Sequence, residues 1–181
     1  AFKTKTNISL GNADPKVTIY FKIDGANYQI YKQPFELSEA ATLHVYAEKN
    51  TVKSAVISTK FYKIDPTINI KLETNFANQY NAGGNDALID GILGTIDFRT
   101  GTWQGYFNED LVAIVDLGRQ KTINLIRINF LKDQQSWIFH PSKVICYGSK
   151  NGVDFKRIDS TQLELPSQSD EVEIKTIEFK T

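Results

Sequence analysis

The sequence predicts an all-β protein made of two successive β-sandwiches. Apolar and polar residues alternate at period two in nearly every segment of the 181-residue chain, which is typical of half-buried strands. No segment has the apolar spacing of a long amphipathic helix, although residues 85–92 are predicted to form a single turn. Hydrophobic residues make up 41% of the chain and aromatic residues 12%, which is enough to fill two cores.

The first domain is predicted to span residues 1–64. Residues 17–23 place Val, Ile, Phe and Ile on one face of a strand, and Asp24-Gly25 then supplies a hairpin turn. Residues 41–47 and 55–61 repeat the same alternation. Short alternating strands that follow one another in this way indicate a small antiparallel sandwich.

The second domain is predicted to span residues 68–181. The alternation stops around Pro66, which cannot donate a hydrogen bond within a central strand, so the domain boundary is placed there. Asn151-Gly152 is the strongest hairpin signal in the chain. Alternation predicts strands within residues 113–117, 126–130, 144–147 and 172–179.

Charge and composition argue against several classes of function. Lys and Arg together number 21, as do Asp and Glu, so the chain lacks the basic excess that neutralises phosphates in a nucleic-acid-binding protein. No apolar run reaches the roughly 18 residues that a membrane span needs. The single cysteine, Cys146, lies in an apolar run and is predicted to be a buried thiol. Neutral glycans or proteins are therefore the expected partners.

Four motifs of the second domain occur in the order found in a known family. They are ALIDG at residues 87–91 with Trp103, VDLG at 115–118, SWIFHP at 136–141 and YGSKNGVDF at 147–155. With these motifs the second domain resembles the coagulation factor V/VIII type C, or discoidin, family. The resemblance implies a jelly-roll β-sandwich. Because bacterial members of that family are commonly carbohydrate-binding modules, it also implies a glycan ligand.

The first domain has weaker motifs, VTIYFKIDG at residues 17–25 and YKQPF at 31–35, followed by residues 41–47 and Lys53-Ser54. With them it is similar to the fibronectin-type-III-like (Ig-like) module at the C-terminal end of bacterial chitobiases. The tandem arrangement resembles the tail of a Bacteroides-type β-N-acetylhexosaminidase. It implies an accessory region of a secreted glycoside hydrolase, at the periplasm or cell surface, with the catalytic domain of the same polypeptide as a partner.

The C-terminal end departs from the discoidin pattern. Members of that family close with further strands that carry an A-R-Y motif, whereas this chain stops at residues 177–181. Because Ala1 is not an initiator methionine and the chain contains no Met, we expect a piece of a longer protein. The second sandwich is therefore expected to be truncated, with one sheet edge left unpaired.

A carbohydrate site is predicted where aromatic and polar side chains meet on loops. An aromatic ring stacks on the apolar face of a sugar, while its hydroxyl groups need fixed donors and acceptors. A tryptophan in such a domain can instead pack into the core, and this alternative stays open for either one. Because His140 precedes Pro141, it is held extended and is expected to point outward more than Trp103 does. The predicted site consists of Trp137, His140, Arg99, Trp103 and Phe139.

A structural calcium ion is predicted in the glycine-rich loop near Trp103. Asp90, Thr95 and Asp97 offer the hard oxygen ligands that calcium prefers, and discoidin-like sugar modules commonly hold calcium in the corresponding loop. The alternative is ordinary turn chemistry, because an Asp before Gly bonds its own backbone. We expect no cofactor other than this ion.

Catalysis is not expected in this region. The hexosaminidases that it resembles use an adjacent Asp-Glu pair, and the only such pair here is Asp170-Glu171, in a polar run. A general acid needs a pKa raised by apolar surroundings, which such a run does not supply. Two non-catalytic alternatives remain open. The first is a purely structural tail that packs on the catalytic domain without binding glycan. The second is adhesion to protein or to lipid head groups, which would require exposed apolar loop tips or a basic patch.

Overall fold

The computed structural model describes residues 1–164 and 171–181. It confirms the all-β prediction, because the described strands form antiparallel sheets and helical residues occur only in short 3-10 turns. The chain divides into two compact units, Ala1–Pro66 with Ile89–Ile92, and Thr67–Leu88 with Leu93–Thr181. No helix in the described part of the chain has the length and apolar character needed to cross a membrane.

The first unit consists of two antiparallel sheets. Its strands are β1 (Thr6–Ile8), β2 (Thr18–Ile23), β3 (Gln29–Ile30), β4 (Phe35–Leu37), β5 (Ala41–Lys49), β6 (Val52–Lys53) and β7 (Ile57–Phe61). Strand β5 is central in the larger sheet, since it pairs with β2 on one side and with β6 and β7 on the other, while β3 pairs with β2. Strands β1 and β4 form the smaller sheet. The strands predicted from alternation correspond to β2, β5 and β7.

The two sheets of the first unit enclose its core. Ile8 and Leu37 come from the smaller sheet, and Phe21 and Leu43 come from the larger one. The rings of Phe21 and Phe35 stack with centroids 4.5 Å apart. Each fully buried apolar side chain stabilises the fold by about 1.5–3 kcal/mol, so this layer explains why the alternating residues of β2 and β5 face inward. The arrangement is that of a β-sandwich.

The second unit is built from strand pairs and 3-10 turns. Its strands are β8 (Asn69–Leu72), β9 (Ala113–Asp116), β10 (Leu125–Lys132), β11 (Lys143–Gly148), β12 (Lys156–Gln162) and β13 (Glu173–Lys180). The pairs β8–β9, β10–β13 and β11–β12 are all antiparallel. Short 3-10 turns lie at Asn78–Tyr80, Asn85–Leu88, Phe98–Thr100 and Gln134–Ser136. The turn at Asn85–Leu88 agrees with the single turn predicted there.

The core of the second unit is centred on Phe179, which is fully buried, and also contains Ile177 and Leu163. Ile128 of β10 and Cys146 of β11 pack against these residues. Burial raises the pKa of the Cys146 thiol, and the negative charge of a neighbouring carboxylate raises it further. A thiol with a raised pKa is a poor nucleophile, which agrees with the predicted inert role.

The β11–β12 hairpin is the turn that Asn151-Gly152 predicts. The side-chain oxygen of Asn151 accepts hydrogen bonds from the backbone nitrogens of Val153, at 3.0 Å, and Asp154, at 2.9 Å. Gly152 adopts a φ of 73°, in the left-handed region that glycine reaches without steric cost. Local chemistry alone therefore fixes the path of the chain between these two strands.

Candidate functional site

The end of β10 leads into a short hairpin, which we call the Trp137 loop (residues 133–139). Asp133 and Ile138 exchange two backbone hydrogen bonds, 3.0 and 2.9 Å long, and so close the loop at its base. Asp133 is buried, and its carboxylate accepts a hydrogen bond from the backbone nitrogen of Ser136 at 3.2 Å. This is N-cap chemistry, which orders the Gln134–Ser136 turn before any ligand is bound.

Trp137 stands at the tip of this loop. Its backbone φ is 60°, and its nitrogen donates a hydrogen bond to the carbonyl oxygen of Gln134 at 3.1 Å. The left-handed region costs a bulky residue about 1–2 kcal/mol. The side chain is nevertheless 84% exposed, so no buried contact of the indole offsets that cost. Strained residues of this kind concentrate at binding and catalytic sites.

Phe139 completes an aromatic pair with Trp137. The two ring centroids lie 6.5 Å apart, and the ring planes make an angle of 79°. Phe139 is 52% exposed, while the intervening Ile138 faces the base of the loop and is only partly exposed. The two rings therefore form a right-angled apolar corner that remains open to solvent. The sequence predicted both residues as ligand contacts, and the structure brings them together.

His140 lies at the base of the loop rather than on its open side. Its Nε2 atom is shielded from solvent and has no hydrogen-bond partner among the described residues. His140 and Trp103 are both half-buried, so the prediction that His140 points outward more than Trp103 stays a prediction. The imidazole lies near Glu173 of β13, whose charge and backbone both act on its pKa.

Burial lowers the pKa of His140 below its ordinary value of 6.5. The positive charges of Lys132 and Lys175 lower this pKa as well, whereas the carboxylate and backbone of Glu173 raise it. Burial is the largest of these effects, so the imidazole is held in its neutral form.

An ion pair also holds the base of the Trp137 loop. Lys132 and Glu173 are register partners in the β10–β13 ladder, and their Nζ and Oε2 atoms lie 3.2 Å apart. The Lys132 side chain is only 10% exposed, so solvent screens this contact less than it screens a surface pair. The hydrogen bond from Lys132 lowers the pKa of the Glu173 carboxyl. This pair could not be predicted from the sequence, because it depends on the pairing of strands that are distant in sequence.

Trp103 is held in the opposite way, inside its own loop. Its indole Nε1 donates a hydrogen bond to the backbone oxygen of Thr95 at 2.7 Å. The ring packs against Gly94 so closely that a Cβ atom at that position would lie 2.1 Å from Trp103 Cε2. Trp103 therefore fills a notch that only glycine provides. This contact favours the packing role that the sequence left open for either tryptophan.

Arg99 is exposed in the same loop, in the Phe98–Thr100 turn. Its guanidinium lies over the ring of Phe98, 4.5 Å from the centroid, and its Nη1 is 3.4 Å from a carboxylate oxygen of Asp97. In the part of the chain that the structure describes, these contacts stay within the Arg99 loop and none joins it to Trp137. The five predicted site residues therefore fall into two groups. Trp137 and Phe139 contact each other in the Trp137 loop, next to His140, whereas Arg99 and Trp103 make their contacts in another loop.

The residues predicted to bind calcium already make hydrogen bonds within the chain. An oxygen of Asp97 accepts from the backbone nitrogen of Arg99 at 3.0 Å, and one of Asp90 accepts from that of Ile92 at 2.7 Å. The hydroxyl group of Thr95 donates to the backbone oxygen of Asp97 at 3.0 Å. Within residues 1–164 and 171–181, no three His, Cys, Asp or Glu side chains are grouped to hold a metal ion. Calcium at Asp90, Thr95 and Asp97 stays a prediction.

Of the acidic pair considered for catalysis, the structure describes only Glu171. Asp170 lies outside the described residues, and Glu171 is exposed at the start of the last described segment. The predicted absence of catalysis by Asp170-Glu171 therefore stays a prediction.

Sequence reasoning missed the residue that shapes the Trp137 loop. Asp133 was not singled out, although an Asp three residues before Ser136 and just after an alternating strand is an N-cap signal. That signal predicts a turn. It does not reveal that the turn leaves Trp137 in solvent.

Two comparisons with known proteins find no relative. A scan against protein-family models finds no match, and a search of curated proteins finds none either. What the structure defines is therefore an all-β, two-unit chain with an exposed aromatic corner on a preordered loop. The motif-based resemblance to discoidin-like and chitobiase-type modules remains a prediction.

Proposed function

We propose that this chain is a non-catalytic carbohydrate-binding region, and that Trp137 and Phe139 form its sugar platform. The observation that carries the proposal is the 84% exposed indole of Trp137, held in a left-handed backbone conformation beside Phe139. A folded protein gains nothing in stability from such an arrangement, so a ligand is its simplest explanation.

The corner suits a hexose or N-acetylhexosamine. One ring can lie under the apolar face of the sugar, while the second ring, at 79°, borders its edge. Gln135 is exposed within the same loop and supplies an amide for the hydroxyl groups. Because the loop is ordered by Asp133 before binding, little conformational entropy is lost when the sugar arrives.

The proposed role is to hold a linked enzyme near its substrate. An open corner of two rings buries little sugar surface, so we expect weak affinity, with a Kd on the order of 0.1–1 mM. Weak binding is sufficient here, because tethering turns it into a high local concentration for a catalytic domain on the same polypeptide. That domain is proposed to be a secreted glycoside hydrolase of the β-N-acetylhexosaminidase type, at the periplasm or cell surface.

Calorimetry with N-acetylglucosamine- and galactose-terminated glycans tests the proposal. Trp137→Ala and Phe139→Ala are each expected to abolish measurable binding without lowering the melting temperature. Phe107→Ala is the matched control, since Phe107 is another exposed aromatic residue, 79% exposed, and is expected to leave binding unchanged. Absence of binding to any glycan by the unmodified chain, or equal loss in all three variants, would contradict the proposal.

Thermal unfolding with and without calcium tests the predicted ion. If Asp90, Thr95 and Asp97 hold the ion, calcium raises the melting temperature and a chelator reverses the effect, because a ligand that binds only the folded state stabilises it. Asp97→Asn is expected to remove the response. A melting temperature that calcium does not change would reject a structural ion at these residues.

A structural tail is the second candidate function, and one observation favours it. Several large apolar side chains of the second unit are mostly exposed, namely Leu93, Ile96, Phe107 and Val153. A catalytic domain packed on them would remove this surface from water. In that case Trp137 would also be covered in the longer protein, and Trp137→Ala would weaken attachment to the catalytic domain rather than glycan binding.

A further inference from the structure

The outer face of the five-stranded sheet in the first unit carries an unusual group of side chains. Alternation along the strands puts Ile19, Phe21 and Ile23 toward the core, so Tyr20 and Lys22 point away from it. The strand pairing places Tyr46 opposite Tyr20, and His44 opposite Lys22. A hydrogen bond of 2.7 Å between His44 Nδ1 and Ser58 Oγ extends this polar face to β7.

Three tyrosines form a continuous cluster on this face. The rings of Tyr20 and Tyr46 are stacked, with centroids 4.9 Å apart and an interplanar angle of 7°. Tyr28 meets Tyr46 edge to face, also at 4.9 Å. These contacts cross three chain segments, so they stabilise the pairing of the strands. The cluster contains three phenol hydroxyl groups, each of which can donate and accept hydrogen bonds.

Lysine ammonium groups surround the tyrosine cluster. Lys22 Nζ lies 5.2 Å from the centroid of the Tyr28 ring, and Lys53 Nζ lies 5.2 Å from that of Tyr46. The cation–π contacts hold these positive charges in place without neutralising them. Lys60, which is exposed, is a third lysine on the face, opposite Thr42 in the register.

Negative charge is scarce on the same face. Among the described strands of this sheet, Glu48 is the only acidic residue that points outward, and it lies 3.8 Å from Lys53. Where β2 ends, Asp24 accepts a hydrogen bond from the backbone nitrogen of Thr42 at 2.7 Å and adds a second carboxylate. Three lysines against these two carboxylates leave a net charge of one positive unit on a surface that belongs to a chain with zero net charge. A patch with an excess of positive charge on an otherwise balanced chain attracts ligands of negative charge.

We propose that this tyrosine–lysine face binds a carboxylated polysaccharide, that is, a glycan rich in uronic acid residues. The ammonium groups of Lys22 and Lys53 would pair with sugar carboxylates. The hydroxyl groups of Tyr20, Tyr28 and Tyr46 would bond to sugar hydroxyl groups. The face lies in the first unit, so the proposal does not depend on sugar binding at Trp137.

The geometry favours an acidic polysaccharide over a single-stranded nucleic acid. Proteins that bind single strands offer open aromatic faces on which bases stack. Here Tyr46 is stacked on Tyr20, and lysine ammonium groups stand over the rings of Tyr46 and Tyr28. What remains accessible is therefore polar, namely hydroxyl and ammonium groups, which match sugar hydroxyl and carboxylate groups.

The test is a titration of the whole chain with polygalacturonate and, as a neutral counterpart, with its fully methyl-esterified form. Binding of the acidic polymer only, weakening as salt is added, is the expected result. A Lys22→Gln, Lys53→Gln double variant is expected to bind it about five- to tenfold more weakly. Conservative Lys→Gln changes on a surface keep the fold, which the melting temperature verifies.

Two controls make the result specific. Lys5→Gln with Lys71→Gln removes two exposed lysines outside this face and is expected to leave binding unchanged. Trp137→Ala is also expected to bind polygalacturonate normally, which separates this face from the neutral-sugar platform. The proposal is overturned if polygalacturonate does not bind, if both double variants lose affinity equally, or if single-stranded polyuridylate binds more tightly.

Discussion

Trp103 and Trp137 occupy two loops of the second unit and are held in opposite ways. The Trp103 indole donates its N–H to a backbone oxygen and packs into a notch at Gly94. The Trp137 indole projects into solvent from a left-handed backbone position and contacts Phe139. Both loops are ordered by an aspartate at an N-cap, Asp97 in one and Asp133 in the other.

The difference teaches how to separate an aromatic residue that holds a loop together from one that the loop displays. In the Trp103 loop, the backbone closes around the ring, so the ring stabilises the loop. In the Trp137 loop, closure comes from the Asp133–Ile138 hydrogen bonds, and the loop does not need the indole. Only a tryptophan of the second kind is free to bind a ligand.

The largest expected effect is on the Trp103 side. Trp103→Ala is expected to lower the free energy of unfolding by about 3 kcal/mol, as for truncation of other packed aromatic residues. Trp137→Ala is expected to change it by less than about 0.5 kcal/mol, as for most surface substitutions. Chemical denaturation of both variants measures the difference. Similar losses in the two variants would break the comparison.

The Gly94 notch gives the next largest effect. Gly94→Ala puts a methyl group 2.1 Å from the Trp103 ring, so the indole must move. Overpacking of this kind is expected to cost about 2 kcal/mol. Gly11→Ala is the control, because a Cβ atom there would meet no other atom within 4 Å. A Gly94→Ala variant as stable as the control would show that Trp103 is not held in this way.

Relief of the backbone strain at Trp137 is expected to have a smaller effect, which stabilises the fold instead of destabilising it. Trp137→Gly is expected to raise the free energy of unfolding by up to about 1 kcal/mol, since glycine reaches a φ of 60° without steric cost. The same variant is expected to lose glycan binding. Thermal unfolding measures the stability of this variant, and calorimetry on the same sample measures its glycan binding. A clear loss of stability would show that the indole supports the loop after all.

The smallest effect is a pH dependence that arises from His140. Its pKa is lowered in the folded state, so the unfolded chain binds the proton more tightly. The contribution of His140 to stability is therefore complete above pH 6.5 and is lost progressively as the pH falls below that value. His140→Gln is expected to flatten the melting temperature between about pH 7.5 and 5.5, whereas His44→Gln, which keeps His140, is not. If the melting temperature of His140→Gln falls with pH as steeply as that of the unmodified chain, the pH dependence arises from another group.

Much of the fold follows from the sequence, because alternation is a local signal. The strands Thr18–Ile23, Ala41–Lys49 and Leu125–Lys132, for example, occur where the period-two pattern places them. The Asn151-Gly152 hairpin follows from the chemistry of two adjacent residues. The strands Thr6–Ile8, Asn69–Leu72 and Lys156–Gln162 were not identified. The first has only three residues and the last has Ile158 as its only large apolar residue, so neither shows a clear period of two.

The candidate site is harder to derive from the sequence. Trp137 and Phe139 were identified from their residue types, but their exposure and angle depend on the hydrogen bonds that close the loop. The proline after His140 predicts an extended backbone, but it does not show that the ring atom Nε2 is shielded from solvent. Contacts between segments distant in sequence decide which side of a loop is open.

The most direct test of the Trp137 platform is a nuclear magnetic resonance titration that follows the two indole N–H signals of the chain. A Trp137→Phe variant assigns them. We expect the Trp137 signal to shift progressively as an N-acetylglucosamine- or galactose-terminated glycan is added, while the Trp103 signal stays in place because its N–H remains bonded to Thr95. A titration in which the Trp137 signal does not move, or only the Trp103 signal moves, would contradict the account.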